Sequence, residues 1–311
     1  VAERMGCSPG EVVFTSGGTE SNNLAIKGTL DNIARASKHL VVSAVEHASV
    51  YECARQLESR GVELTILPVD GEGRVDPADV ERAIKKETAL VSVMHVNNET
   101  GTVQTIREIG AIVQKYPHVK FHVDGVQAIG KVPFDWRSSG VDLYAGSAHK
   151  FGGPKGAGVL LVKEGIELAP LLSGGNQEEG RRSGTLNVPA VVAMSQALRL
   201  TMENRDARRV RMYAMRRRLL ELIADIPELR TNGISSGDAN VERDAAPHVV
   251  NVSYPGMRPE VMIHMLEQNG ILVSTQSACS SKSLKPSRVL LAMGLGADRA
   301  SASIRISFGD E

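Results

Sequence analysis

The chain has 311 residues, 42% of them hydrophobic, and its 36 basic side chains balance 36 acidic ones. This length exceeds what one hydrophobic core usually organises, so two domains are expected. The neutral charge gives no reason to expect a nucleic acid or a membrane surface as partner, and no apolar run approaches the ~20 residues that cross a bilayer.

The three cysteines, Cys7, Cys53 and Cys279, are widely spaced and form no C-x-x-C pair. This spacing argues against a disulfide framework or a zinc site, and it favours a reducing compartment, which predicts a cytoplasmic protein. The chain starts at Val1, shows no signal peptide, and ends at Glu311 after a strand-like run, so we expect a fragment truncated at both ends.

The first predicted element with a chemical signal is a glycine-rich turn between a strand and a helix. Residues 11–14 have a strand pattern, residues 15–23 read TSGGTESNN, and a helical pattern follows. Free backbone N–H groups and the positive end of a helix dipole suit a phosphate group there. Gly18 permits close approach and Thr19 adds a hydroxyl, although the spacing matches neither a dinucleotide fingerprint nor a P-loop. A turn with an ordinary helix cap is the alternative.

Strands and single helices then alternate, which predicts an α/β domain with a mainly parallel sheet covered on both faces. The pattern places strands at 40–45, 62–67, 89–96, 120–123, 141–145 and 156–162, and helices at 48–60, 77–86 and 106–115.

Polar side chains follow four of these strands, where ligands of parallel sheets bind. Each has a structural alternative, such as a core histidine, a turn or a helix cap, but their convergence on one edge is the stronger signal. The residues are His47, Asn97, Asn98, Glu99, Asp124, Gln127, His149 and Lys150.

Lys150 stands between a short strand and the breaker sequence at 152–154, with Ser147 and His149 beside it. Burial and neighbouring dipoles disfavour an ammonium group, so a lysine held there loses its proton more easily than a surface lysine. Neutral lysine attacks carbonyl groups and forms Schiff bases. The alternative is one more solvated lysine.

The remaining chain predicts a long polar loop at 173–185, a long or bent helix at 190–225, and a smaller α+β domain. The arginine-rich part of that helix is interpreted as a solvated face, because the overall charge is neutral. Cys279 lies in a small, polar loop where nearby Lys282 favours a reactive thiolate. We place the large domain at 1–205 and the small domain at 206–311. The small domain is predicted to have strands at 248–252, 271–274 and 302–308 and helices at 259–268 and 286–293.

Eight motifs occur in one order over nearly all of the chain: 14–23 (FTSGGTESNN), 46–47 (EH), 96–99 (VNNE), 122–127 (HVDGVQ), 147–150 (SAHK), 182–185 (RSGT), 277–280 (SACS) and 303–305 (SIR). On these motifs the whole chain resembles the cysteine desulfurases of the class-V aminotransferase family, and within them the group I, NifS/IscS-like branch. The resemblance implies fold type I of the pyridoxal-phosphate enzymes, with a mainly parallel seven-stranded sheet between helices and a smaller C-terminal α+β domain.

The resemblance also implies pyridoxal 5'-phosphate as cofactor, held covalently by Lys150. Asp124 would pair with the pyridine nitrogen, Asn98 and Gln127 would hydrogen-bond the ring hydroxyl, and His47 would stack on the ring and move protons. Gly18, Thr19, Ser147 and His149 would hold the phosphate. Thr185 would reach the phosphate of a neighbouring subunit, which implies a homodimer.

The implied reaction converts L-cysteine to L-alanine. Asn98 and Arg305 would bind the substrate, and Cys279 would take the sulfur as a persulfide for a sulfur-acceptor protein, either an iron–sulfur scaffold or a tRNA-thiolation enzyme. Two alternatives stay open: another fold type I enzyme, such as a selenocysteine lyase or an aminotransferase, and an inactive truncated scaffold for sulfur transfer. The chain departs from the family at its shorter ends and at Glu179, where an arginine is common.

Overall fold

A computed structural model of the chain describes residues 1–34, 38–235, 241–275 and 285–309. They form two compact units. The first unit contains Val1–Pro68, Val75–His95 and Thr105–Arg205, and the second contains Val69–Arg74, Val96–Gln104 and Asp206–Glu311. Two short segments from the first 205 residues therefore group with the C-terminal part, which the sequence did not indicate. The division into domains at residue 205 stays a prediction.

The first unit contains a seven-stranded sheet in the order β1-β7-β6-β5-β4-β2-β3. Four neighbouring pairs are parallel, as the strand–helix alternation predicts. Strand β7 runs antiparallel to both β1 and β6, because residues 148–157 lead the chain back beside β6 without a crossover α-helix. The strands are β1 (Val12–Thr15), β2 (His39–Ser43), β3 (Glu63–Leu67), β4 (Thr88–Ser92), β5 (Lys120–Asp124), β6 (Leu143–Ser147) and β7 (Gly158–Val162).

The helices of the first unit cover this sheet. Helix caps set several of their starts: the side chains of His47, Asp76 and Asn187 accept backbone N–H groups, and Pro77 occupies a first-turn position. The helices are α1 (Ala2–Met5), α2 (Gly18–Asp31), α3 (Ala48–Glu58), α4 (Pro77–Ala83), α5 (Ile106–Val113) and α6 (Val188–Glu203).

A hydrophobic core of the first unit joins the sheet with the helices α2 and α3. It includes Leu24 and Ile26 of α2, Val50 of α3, Leu40 of β2 and Leu143 of β6, all of them fully or almost fully buried. Burial on both faces explains why the central strands have near-continuous apolar sequences rather than alternating ones.

The second unit has a three-stranded antiparallel sheet in the order β10-β9-β8. Leu220 and Ile223 pack on Val250, Val252 and Ile304 to form its core. Its strands are β8 (Arg230–Asn232), β9 (Val249–Ser253) and β10 (Ser303–Ser307), and its helices are α7 (Arg205–Ala224), α8 (Val241–Asp244), α9 (Pro259–Gln268), α10 (Arg288–Ala292) and α11 (Ala297–Ser301).

One detail refines the sequence-based expectation of a long or bent helix, and two others contradict what the sequence predicted. The helical stretch at 190–225 divides at Asn204 into α6 and α7. The strand predicted at 271–274 is wrong: Ile271 and Leu272 are largely exposed, and only Ser274 forms a bridge, to Arg305. Arg216 is not on a solvated face, because it is 2% exposed and donates to two backbone carbonyls.

Candidate functional site

The turn between β1 and α2 is held in a close-packed position. A Cβ at Gly18 would lie 2.7 Å from Val126 Cγ2, and one at Gly158 would lie 2.5 Å from the Cα of Gly17. Gly17 has φ 152°, a value that favours glycine. The N–H groups in the first turn of α2 have no helical carbonyl to bind. The turn therefore presents donors at a helix N-terminus to a group that approaches the backbone closely.

Ser147 and His149 lie at the end of β6, beside this turn. Ser147 Oγ is 2.8 Å from His149 Nδ1 and would be 3.8 Å from a Cβ on Gly17. Loss of water around part of the ring lowers the pKa of His149, and the positive charges of Lys150, Lys155 and Lys131 lower it further. Hydroxyl groups and backbone N–H groups thus meet in one region of positive charge, a donor set that suits a phosphate ester.

The backbone around Lys150 is anchored on both sides. Residues Ala148–Lys150 form a 3₁₀ turn directly after β6. Lys131 Nζ donates to the carbonyl oxygen of Lys150 at 2.7 Å, and Thr201 Oγ1 donates to that of Phe151 at 3.0 Å. The half-buried Lys150 side chain therefore starts from a well-defined point. Sequence analysis missed the contribution of Lys131, because nothing in a linear pattern pairs residues 131 and 150.

Asp124 ends β5 and is 4% exposed. Its Oδ1 accepts the N–H of Val126 at 3.0 Å, and its Oδ2 accepts from Asn22 Nδ2 at 2.8 Å. Its peptide oxygen accepts the N–H of His95 at 2.9 Å. The carboxylate is thus held by neutral donors, which leaves its negative charge for a cationic partner.

A buried aromatic cluster supports the peptide that follows Asp124. A Cβ at Gly125 would lie 2.1 Å from the Tyr144 ring, which stacks on Phe134 at a centroid distance of 4.0 Å. Tyr144 Oη lies 3.0 Å from His95 Nδ1. Burial lowers the pKa of His95 to about 4, so its imidazole is neutral at pH 7. This packing requires glycine at 125.

His47 is the N-cap of α3, and its Nδ1 accepts the backbone N–H of Ser49 at 3.1 Å. The Oγ of Ser49 is also 2.8 Å from Nδ1 and 2.8 Å from Asn22 Nδ2. Asn22 and Ser49 therefore connect His47 with Asp124. Sequence analysis gave neither residue a role, although Asn22 lies in a motif and Ser49 occupies a capping position that could have drawn notice.

The donor set of the first unit fits pyridoxal phosphate. The fit rests on the helix N-terminus that begins at Gly18, on the hydroxyl group and positive charges beside it, and on the buried carboxylate of Asp124, which neutral donors hold. Gln127, which is buried, lies three residues after Asp124. Among the residues that the structure describes, no cluster of three or more metal-ligating side chains occurs, and no helix is long and apolar enough to cross a membrane.

The turn between β1 and α2, residues 16–18, is called the phosphate-type turn below. The loop at 173–187 contacts the start of α2, directly after this turn, through an ion pair. Arg182 Nε donates to Glu20 Oε1 at 2.8 Å, and the N–H and hydroxyl of Ser16 donate to Glu20 Oε2. Burial alone would raise the pKa of Glu20, but the hydrogen bonds from Arg182 and Ser16 lower it below its ordinary value. Glu20 therefore stays charged in the first turn of α2. The positive charge of Arg182 offsets this negative charge beside the backbone N–H groups that suit a phosphate.

We expect Arg182→Met to weaken the binding of pyridoxal phosphate by roughly 5- to 30-fold, the equivalent of about 1–2 kcal/mol, because it exposes the phosphate to the charge of Glu20. The double variant with Glu20→Gln should regain most of the affinity, since it removes that charge. Fluorescence titration of the apoprotein measures both dissociation constants. Arg181→Met is the matched control, because Arg181 contacts Gly10 and Glu179 instead. A double variant as weak as Arg182→Met alone would contradict this account.

The second unit brings together the two predicted substrate-binding residues. Arg305, on β10, donates from Nη1 to the carbonyl oxygen of Asn98 at 3.1 Å. The adjacent Glu99 is buried, which raises its pKa, and it accepts a hydrogen bond from Ser287 Oγ at 2.5 Å. The predicted sulfur carrier, Cys279, lies outside the described residues. Thr185, in the first unit, is exposed.

A family model described as aminotransferase class-V matches residues 1–310 of the chain. A "NifS/IcsS protein homolog" of Lactobacillus delbrueckii subsp. bulgaricus is 43% identical over 311 residues, a match that covers 100% of this chain and 79% of that protein. The protein of Dictyoglomus turgidum named "Cysteine desulfurase IscS" is 41% identical over 310 residues, covering 99% of this chain and 77% of that protein. A solved structure titled "NIFS-LIKE PROTEIN" has a TM-score of 0.89 at 33% identity and covers 99% of this chain and 80% of that one.

Proposed function

The chain belongs to the class-V aminotransferase family, and from this membership we propose that it is a pyridoxal-phosphate-dependent cysteine desulfurase. It converts L-cysteine to L-alanine and transfers the sulfur to Cys279. The observation that carries the proposal is the assembly, within one unit, of a phosphate-type turn, an anchored lysine and a buried carboxylate. The similarity to proteins named as cysteine desulfurases supports the choice of substrate.

The residues of the first unit would hold the cofactor as follows. Gly18, Thr19, Ser147 and His149 would bind the phosphate, and Lys150 would bind the aldehyde carbon covalently. Asp124 would pair with the ring nitrogen and favour its protonated form. Gln127 would hydrogen-bond the ring hydroxyl, as would Asn98 of the second unit, and His47 would stack on the ring. The bound cofactor supplies an electron sink for the electron pair left when a proton leaves the α-carbon of the amino acid.

The protein's own residues then perform the transfer of sulfur. Arg305 binds the carboxylate of L-cysteine with its guanidinium group. Lys150 removes the proton from the α-carbon and later delivers a proton back. The thiolate of Cys279 attacks the sulfur of the substrate, the carbon–sulfur bond breaks, and its electron pair stays on carbon. That carbon takes up a proton, which yields L-alanine and a persulfide on Cys279.

A homodimer is part of the proposal. Thr185 is exposed, and so are four apolar side chains: Leu171 and Leu172, which precede the loop, and Val188 and Val192 on α6. Apolar surface beside a site residue suits an interface with a second copy. Thr185 then contacts the phosphate in the partner subunit.

We expect activity to return when a Lys150→Ala subunit is mixed with a Thr185→Val subunit. If Thr185 acts on the partner's cofactor, one of the two sites in each mixed dimer contains both native residues. If Thr185 serves its own subunit, every site lacks one residue and activity stays low. The measurement is sulfide release at limiting pyridoxal phosphate after exchange of subunits, with each variant alone as control. Sedimentation velocity that shows only monomer would contradict the dimer.

The persulfide of Cys279 passes to a sulfur-acceptor protein in the cytoplasm, either an iron–sulfur scaffold or a tRNA-thiolation enzyme. This step requires a reducing compartment, and Cys7 and Cys53 are both free thiols in the structure.

The test of the proposed function is an absorbance spectrum of the purified protein with pyridoxal phosphate, before and after L-cysteine is added, with sulfide and alanine assayed in parallel. A cofactor band that changes with cysteine, together with both products, supports a desulfurase. A band that changes without release of sulfide points to another fold type I enzyme, such as an aminotransferase. Release of selenide from L-selenocysteine with no sulfide from L-cysteine identifies a selenocysteine lyase, and absence of any band favours a non-enzymatic scaffold.

A further inference from the structure

We propose that Asn22 is a positioning residue that orients Asp124 and His47 through one side-chain amide, and that with Ser49 it holds His47 as the tautomer with its proton on Nε2. The inference deepens the proposed function, on which it rests for the roles of Asp124 and His47. It adds two residues that have no part in the cofactor contacts described above.

The geometry gives Asn22 a single orientation. Its side chain is 1% exposed, and its Nδ2 lies 2.8 Å from both Asp124 Oδ2 and Ser49 Oγ. A carboxylate oxygen only accepts hydrogen bonds, so the Asn22 atom facing Asp124 is the amide nitrogen rather than the amide oxygen. Its two hydrogens are then both used, one on Asp124 and one on Ser49.

The hydrogen bonds of Ser49 determine which nitrogen of the His47 imidazole carries the proton. Ser49 Oγ accepts from Asn22, so its own hydrogen is free to point at His47 Nδ1, 2.8 Å away. The backbone N–H of Ser49 also donates to the same nitrogen at 3.1 Å, and a backbone N–H has no other role available. Nδ1 therefore accepts two hydrogen bonds and carries no proton. The neutral ring has its proton on Nε2, at the edge away from Ser49.

The amide oxygen of Asn22 shows that this arrangement carries a cost. Oδ1 is buried without a hydrogen-bond partner among the residues that the structure describes. A buried acceptor without a partner loses free energy, so the amide is retained for the two hydrogen bonds that its nitrogen donates. One bond ends on Asp124 and the other on Ser49, which contacts His47. The proposed function places Asp124 and His47 at the cofactor ring.

Two consequences follow for the reaction. The Asn22 amide fixes the direction of the Asp124 carboxylate, because Val126 holds one oxygen and Asn22 the other. His47 presents an N–H donor at Nε2, and a second proton could enter only at Nδ1, where it would displace the Ser49 N–H. In this site His47 therefore presents a hydrogen-bond donor, rather than an acceptor, at Nε2.

The first test reads the tautomer directly. Holoenzyme labelled with ¹⁵N-histidine is examined by long-range ¹H–¹⁵N correlation, with the His47→Gln variant to assign the signals. We expect the pattern of an Nε2–H imidazole for His47 in the resting enzyme. A proton on Nδ1, or a fully protonated ring at neutral pH, would overturn the inference whether or not the protein releases sulfide.

The second test measures the positioning role in the desulfurase assay. Asn22→Ala should lower kcat by roughly 10- to 100-fold, the scale expected when a reacting group is misplaced, with a smaller change in KM. The pH midpoint of the cofactor band should also move, which a loss of stability alone does not produce. The matched control is Asn23→Ala, the next residue on the same helix, whose amide donates to the backbone oxygens of Thr19 and Ser49.

Asn23→Ala should stay within about twofold of the native kcat, with an unchanged pH midpoint. Asn22→Asp is the second variant: it keeps the size of the side chain but replaces the donor with a carboxylate facing Asp124, and it should lose at least as much activity as Asn22→Ala. Native kcat and an unmoved midpoint in either Asn22 variant would overturn the positioning role. Absence of desulfurase activity in the native protein would instead refute the proposed function and leave the tautomer measurement to decide this one.

Discussion

Replacing Lys150 with alanine is expected to give a folded protein that no longer shows the absorbance band of covalently bound cofactor and that turns over L-cysteine roughly 10²- to 10⁴-fold more slowly, the range for loss of a general acid–base group. In the proposed function the side chain is both the covalent attachment point and the group that moves the α-proton. Its backbone is held independently by Lys131, whose Nζ lies 2.7 Å from the Lys150 carbonyl oxygen. The alanine variant therefore keeps the local chain path.

Circular dichroism and thermal unfolding establish that the Lys150→Ala variant is folded, and the absorbance spectrum and the sulfide assay measure the loss. Lys155→Ala is the matched control, because Lys155 is an exposed lysine in the same segment. It should retain the band and most of the activity. A native spectrum in the Lys150 variant would show that another lysine binds the cofactor.

The positions of Lys150, His149, Asp124 and His47 could be predicted because buried parallel strands have a strong sequence pattern. A fully buried strand such as β2 or β6 has an apolar run of a definite length, and the polar residue that follows it lies at the sheet edge. The phosphate-type turn could be predicted for a similar reason, because two adjacent glycines between a strand and a helix strongly favour a turn.

Contacts between distant residues could not be predicted in this way. The hydrogen bond from Asn22 to Asp124 joins residues 102 positions apart, and the Arg182–Glu20 pair joins residues 162 positions apart. Which face of α2 meets β5, and where the loop at 173–187 crosses, depends on packing that no local pattern records. For the same reason, the sequence could not predict that segments 69–74 and 96–104 group with the second unit.

At 271–274, by contrast, the sequence predicted a strand that the structure does not contain. A short apolar run is ambiguous, because it matches a buried strand whether or not a partner strand lies beside it. Here Leu272 is 82% exposed, and the pairing with β10 is limited to Ser274. The prediction for the cysteine loop that follows, and for Cys279 itself, concerns residues outside those described and stays a prediction.

The second large effect is expected for Cys279→Ala. This variant should bind pyridoxal phosphate with the native absorbance band and should still change that band when L-cysteine is added. Its transfer of sulfur should fall by at least roughly 10²-fold, because no protein thiolate is left to take the substrate sulfur. Mass spectrometry after a single turnover should find one added sulfur on the native protein and none on the variant.

Cys53→Ala is the control that separates a reactive thiol from a structural one. Cys53 is 5% exposed in the core of the first unit, and burial raises the pKa of its thiol to about 11, so almost none of it is thiolate at neutral pH. Its removal should cost about 1 kcal/mol of unfolding free energy and leave sulfur transfer intact. If mass spectrometry finds added sulfur on the Cys279→Ala variant and none on the Cys53→Ala variant, the persulfide forms on the buried Cys53 instead. Full activity in both variants would exclude Cys279 and Cys53 as the sulfur carrier.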